Sequence, residues 1–137
     1  MAVFVPSDQK MRELLEESRR IAVVGLSDKP DRDSYRVARY LQENGYEIIP
    51  VNPNIDQVLG VKAAASLEEI DGTVDIVDVF RKSEDVLPIA EAAVKIGAAC
   101  LWLQLGVIND EAAKLAQDAG LEVVMDRCIK VEHARLV

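Results

Sequence analysis

The chain has 137 residues, half of them apolar and 29% charged, with a formal charge of −8, and at this length roughly two-thirds of the unfolded surface is buried on folding, enough for a single domain over 1–137. The acidic balance excludes a general nucleic-acid binder, which needs a basic face to displace counterions, whereas an anionic small molecule needs only a local cluster of cations. The longest apolar runs, such as Ala98 to Leu103, are too short to cross a bilayer, and Met1–Pro6 has neither the basic start nor the apolar core of a secretory leader, so a cytoplasmic protein is expected.

Ser7 caps a first helix whose apolar positions Met11, Leu14 and Leu15 recur at helical spacing. Strand one follows as Ile21 to Val24 and stops at Gly25, where a polar loop leads to a second helix from Ser34 to Asn44, ended by Gly45. Strand two runs from Tyr46 to Val51 and is broken by Asn52-Pro53-Asn54. The connection that follows holds a turn at Val58 to Val61 and a capping-box pattern, Ser66 with Glu69, over a turn or two of helix. Strand three is Thr73 to Phe80. The helix from Ser83 to Gly97 carries Pro88, which fits only in or near the first turn. Strand four spans Ala98 to Gln104, a helix capped by Asn109 ends at Gly120, and strand five is Leu121 to Met125. The tail from Cys128 reads as a short docked helix with Ile129 and either Val131 or Leu136 on the core.

Strands alternating with helices over short connections imply an α/β, Rossmann-like, doubly wound five-stranded parallel sheet with an N-terminal amphipathic helix. The expected strand order is 3-2-1-4-5, with a topological switch between strands one and four. Ligands of such sheets lie beyond the carboxyl ends of the strands at that switch, which gathers the loops 25–36, 50–54, 80–83 and 102–106.

In the first of these, Gly25 admits close backbone approach, Ser27, Ser34 and Tyr35 offer donors around a helix start, and Lys29, Arg32 and Arg36 add positive charge against Asp28, Asp31 and Asp33. The same residues also suit an ordinary solvated turn. Strand two ends in Pro50, Val51, Asn52 and Pro53, which can pack on an adenine or pantetheine face or simply stiffen a turn. Phe80, Arg81 and Lys82 leave strand three where a ligand would pass, so that Lys29, Arg32, Arg36, Arg81 and Lys82 converge on one rim. Trp102, Leu103 and Gln104 end strand four, with Gln104 either a core hydrogen-bonder or a ligand contact.

Cys100 and Cys128 are far apart and His133 is the sole histidine, so no metal cluster is expected and no nucleophile–base pair can be placed around Cys128. A dinucleotide site would want G-x-G-x-x-G in the first loop and an acid after strand two. Both are missing, which makes an NAD(P)-binding module or small oxidoreductase the alternative reading. A regulatory interaction subunit with a vestigial pocket is a third, and a protein partner or homo-oligomer is left open.

Over nearly its whole length the chain resembles the small stand-alone CoA-binding domain proteins, themselves similar to the nucleotide-binding domain of the succinyl-CoA synthetase alpha subunit. The stretches that carry the resemblance are IAVVGLSDKPDRDSYRVARYL, GYEIIPVNP, DIVDVFR, and WLQLG with AGLEVVMDRCIKVEH. It implies coenzyme A as the cofactor, held by Gly25, Ser27, Ser34, Tyr35, Arg36, the Pro50 to Pro53 turn, Phe80, Arg81 and Trp102 to Gln104. The synthetase's phosphorylated histidine lies in a further domain with no counterpart here, so the expectation is a binding or regulatory module for CoA or acyl-CoA without turnover of its own.

Overall fold

A computed structural model describes residues 4–137; residues 1–3, the first of those read for a leader, lie outside the described part. The elements are α1 (Asp8–Glu17), β1 (Arg20–Val24), α2 (Asp33–Glu43), β2 (Glu47–Val51), β3 (Gln57–Val58), β4 (Val61–Lys62), β5 (Ile76–Val79), α3 (Val86–Lys95), β6 (Cys100–Leu103), α4 (Asp110–Asp118), β7 (Glu122–Val124) and α5 (Ile129–Leu136). Five strands form one parallel sheet in the order β2-β1-β5-β6-β7, and β3 and β4 form a separate two-residue hairpin.

Successive strand residues face opposite sides, so the continuous apolar runs feed two cores. Ala22, Val24, Val77, Val79, Leu101 and Leu103 pack under α3 and α4. Ile21, Val23, Ile76, Cys100 and Trp102 pack under α1, α2 and α5. A sheet buried on both faces is what the run-like rather than alternating strand sequences require. Complete burial of each such Val, Leu or Ile contributes about 1.5–3 kcal/mol.

The helix caps follow the sequence. Ser7 Oγ accepts from the Lys10 N–H at 3.2 Å, Asn109 Oδ1 accepts from the Ala112 N–H at 2.9 Å, and Pro88 is the third residue of α3. Asp75 is bound twice over at the start of β1: its backbone N–H donates to the Arg20 carbonyl at 3.0 Å, and its carboxylate accepts from the Arg19 and Arg20 N–H groups at 2.8 and 2.9 Å.

One feature of the expected topology is corrected. The strand read as third lies beside β1, not outside β2, so the chain crosses back over β1 and the switch falls between β1 and β5. The outer position next to β2 is filled only by a single parallel bridge, Val51 with Ala64, in which the Ala64 N–H donates to the Pro50 carbonyl and the Asn52 N–H to the Ala64 carbonyl, both at 2.9 Å. Residues 57–64 spend their remaining pairing on the β3–β4 hairpin, whose turn places Leu59 and Gly60 at φ +54° and +76°. A full third strand never forms, and the next strand takes the inner place.

Candidate functional site

The carboxyl ends of β1, β2 and β5 are laced together at Gly25. Its N–H donates to the Val51 carbonyl at 2.9 Å, and the Phe80 N–H donates to the Val24 carbonyl at 2.8 Å. Gly25 sits at φ +87°, and a Cβ there would lie 2.2 Å from the Phe80 carbonyl oxygen and 3.2 Å from Arg81 Nε. The glycine is thus required by the approach of two strand ends.

The loop that follows is held by its own hydroxyls. Ser34 Oγ, buried, accepts from the Ser27 N–H at 3.0 Å, and Ser27 Oγ accepts from the Lys29 N–H at 3.1 Å. This corrects the expectation that the Gly25 and Ser27 amides are available to a ligand, because an internal acceptor already holds each of them, whereas the Ser34 hydroxyl accepts and keeps its O–H to donate. Ser34 is not the cap of α2 either. That position is Arg32, whose side chain makes no capping bond, so the first-turn amides of α2 keep the orphan donors and positive end of a helix N-terminus.

At the end of β2, Pro50 and Val51 are buried. The Asn52 side chain is committed within the protein, donating from Nδ2 to the Leu26 carbonyl at 3.1 Å and accepting at Oδ1 from the Asn54 N–H at 2.9 Å. Val51 and Pro53 of this turn line a groove of about 250 Å³ on the α3 side, shared with Leu67, Pro88, Ile89 and Arg81.

A larger cleft of about 790 Å³ opens on the other side of the sheet edge, between α2 and the start of α5, within the ~300–1,000 Å³ typical of small-molecule sites. Phe80, Arg81 and Lys82 form one wall, Gln104, Leu105 and Val107 another, and Cys128, Lys130 and Val131 a third, with Arg36 and Val37 of α2 closing it. Gln104 is 5% exposed and its Oε1 accepts from the Ile129 N–H at 3.1 Å, so it both lines the cleft and starts α5. Trp102 and Leu103 do not reach the cleft. Both are fully buried, and Trp102 Nε1 donates to the Arg127 carbonyl at 2.9 Å. Tyr35 packs against the core beneath α2 and lines none of these clefts.

The expected rim of five cations is split. Arg36, Arg81 and Lys82 line the large cleft, while Lys29 and Arg32 border a separate shallow depression with Gly25, Ser27, Ser34 and Phe80. Arg36 is already paired, with Asp33 Oδ1 at 2.7 Å and the Asp31 carbonyl at 2.9 Å. Arg81 and Lys82 form no ion pair among the described residues. A cation the sequence did not single out, Lys130, completes the cleft from α5, with its Nζ 5.6 Å from the Tyr40 ring centre. No cluster of metal-ligating side chains occurs among the described residues. One row below Phe80 and Gln104, Asp78 is completely buried with no hydrogen-bond partner for either oxygen, and burial holds its carboxyl well above the usual range.

Comparison with known proteins decides what kind of domain presents this edge. A family model described as a CoA binding domain matches residues 19–134. The chain belongs to that family. Among similar proteins, Bacillus subtilis YneT is 54% identical over 129 residues, covering 94% of this chain and 96% of its own. The alpha subunit of the ADP-forming acetate–CoA ligase II of Pyrococcus furiosus is 31% identical over 132 residues, covering 86% of this chain and 29% of the subunit. Among solved structures, a hypothetical protein from Pyrococcus horikoshii superposes with a TM-score of 0.95 at 40% identity, covering 99% of this chain and 96% of its own. A Thermus thermophilus protein gives 0.92 at 38% identity, covering 96% and 100%. The resemblance to small stand-alone CoA-binding domains read from the sequence therefore holds, as does the doubly wound parallel fold. What the sequence missed in this CoA binding domain is the α5 wall, because Lys130 and Val131 sit in a tail whose period is too short to orient. Val131 in particular faces the cleft at 58% exposure and not the core.

Proposed function

We propose that this CoA binding domain holds coenzyme A or an acyl-CoA across the carboxyl edge of its sheet, in the aqueous cytoplasm and as a single domain. The observation that carries the reading is the division of that edge into a narrow apolar groove and a wide cleft that share Arg81 as a common wall. Coenzyme A has the matching three-part build of planar base, phosphates and long pantetheine arm. In this reading the base lies against Val51 and Pro53, while the phosphates meet Arg81, Lys82 and Arg36 near the α2 N-terminus, where orphan amides favour anions. The arm then runs past Phe80 toward Gln104. The reading assigns binding and names no catalytic residue.

Titration calorimetry with CoA, ADP and NAD on one sample tests it. CoA is expected to bind, ADP more weakly, and NAD not measurably, since β2 ends without the acid that holds an adenosine ribose and Asn52 in its place is tied to Leu26 and Asn54. Binding of NAD without CoA overturns the proposal in favour of a dinucleotide module.

A further inference from the structure

The mouth of the wide cleft is lined by exposed apolar side chains. Leu105 and Val131, on opposing walls of its mouth, are 70% and 58% exposed, and Val107 lies with them. Large apolar side chains are rarely left so open in one concave place unless something apolar meets them. They are also held there. The Gly106 N–H donates to Asp126 Oδ1 at 2.7 Å, the Val107 N–H to the Gln104 carbonyl at 2.9 Å and the Ile108 N–H to Ser83 Oγ at 2.9 Å, and Asn109 Nδ2 donates to the Ser83 carbonyl at 2.9 Å. The backbone of the loop carrying Leu105 is braced from both sides.

We infer that Leu105, Val107 and Val131 form the seat of an apolar acyl group, so that the ligand of this domain is an acyl-CoA thioester with an aliphatic chain in preference to free CoA. The inference rests on the CoA reading of the cleft and adds the chemistry of its far end. An acidic acyl group fits less well, because the phosphates take Arg36, Arg81 and Lys82 in this reading, which leaves Lys130 alone against Asp33 and Asp85 in the same cleft. Each methylene removed from water tightens binding about fourfold. Covering three would give about sixtyfold, which the open mouth reduces to tenfold or more.

Calorimetry on the full chain with CoA, acetyl-CoA, hexanoyl-CoA and succinyl-CoA tests the inference. Affinity is expected to rise from CoA through acetyl-CoA to hexanoyl-CoA, the last at least about tenfold tighter than CoA, with succinyl-CoA behind hexanoyl-CoA. Equal affinity for CoA and hexanoyl-CoA, or a preference for succinyl-CoA, overturns the acyl seat while leaving the CoA reading intact; failure of every CoA species to bind removes both. The double variant Leu105→Ser, Val131→Ser, altered only at exposed positions, should keep the parent melting temperature and lose the chain-length gain. A gain that persists in the variant places the chain elsewhere and overturns the proposal. So does an equal loss for CoA and hexanoyl-CoA, or a missing gain accompanied by a drop in the mass of the parent assembly by light scattering, which would make the patch a contact between copies.

Discussion

A methyl group at position 25 would sit 2.2 Å from the Phe80 carbonyl oxygen, on a residue already at φ +87°. Both penalties act on the folded state, so Gly25→Ala is expected to lower stability by about 1–3 kcal/mol or more, measured by urea denaturation without ligand. The same crowding explains why Arg81 is so placed: its backbone follows the carbonyl that Gly25 makes room for, and its side chain stands between the two clefts. Arg81→Ala should weaken CoA binding by on the order of 1.5–3 kcal/mol, the range for hydrogen bonds to charged groups, while the melting temperature of the ligand-free protein stays near the parent's. Arg36→Ala should cost less, because that guanidinium gives up Asp33 and Asp31 when it turns to a ligand. Equal losses at the two positions would show that the Asp33 pairing does not persist in solution.

At the scale of elements, the wall supplied by α5 depends on one buried side chain. Gln104 ends β6 and its Oε1 accepts from the first N–H of α5. Gln104→Leu keeps the volume and strands that donor, so a loss of about 1–3 kcal/mol is expected in equilibrium unfolding, with weaker CoA binding as Lys130 loses its anchor. The strands, the two capped helices and the glycine-terminated helix ends were legible in the chain because each is written locally, in an apolar run, a Ser or Asn before a helical period, or a Gly after it. Gly25, Phe80 and Arg81 could be placed at strand ends for the same reason. The order of strands was not legible, since Asn52 to Ala64 carries no local mark of whether it forms a strand, a hairpin or one bridge. Trp102 was read as a ligand contact because sequence shows a residue's hydrogen-bonding capacity, while its use, here by the Arg127 carbonyl, is settled by distant segments.

For the whole molecule, two buried titratable groups tilt the dependence of stability on pH in opposite directions. Asp78 has its folded-state pKa raised by burial. Its protonated form is the one the fold prefers, so its contribution is complete below the unfolded value of about 3.9 and is lost as pH rises from there through the folded value. Asp78→Asn should flatten that decline in the stability–pH curve, and Asp78→Leu should raise stability at neutral pH by about 1–3 kcal/mol by removing an unpartnered buried group. His133, whose Nδ1 lies 2.7 Å from the Tyr40 hydroxyl, has its pKa lowered by burial. Its contribution is present above about pH 6.5 and is lost as pH falls from there through the folded value. Thermal melts from pH 4 to 8 on the parent and on His133→Gln should diverge on the acid side of 6.5, and parallel curves would exclude a role for His133.

The Val51–Ala64 bridge has a consequence for how copies of the domain meet. On its outer side β2 offers the Pro50 carbonyl, already taken by Ala64, and proline has no N–H to add. A neighbouring chain seeking to lengthen the sheet there finds a missing rung, and at the far side β7 is only three residues long. Blunt margins of this kind suppress strand-to-strand stacking and the fibrils that grow from it. A parallel sheet this apolar is thereby kept finite, and any assembly of the protein is directed to its helices and loops.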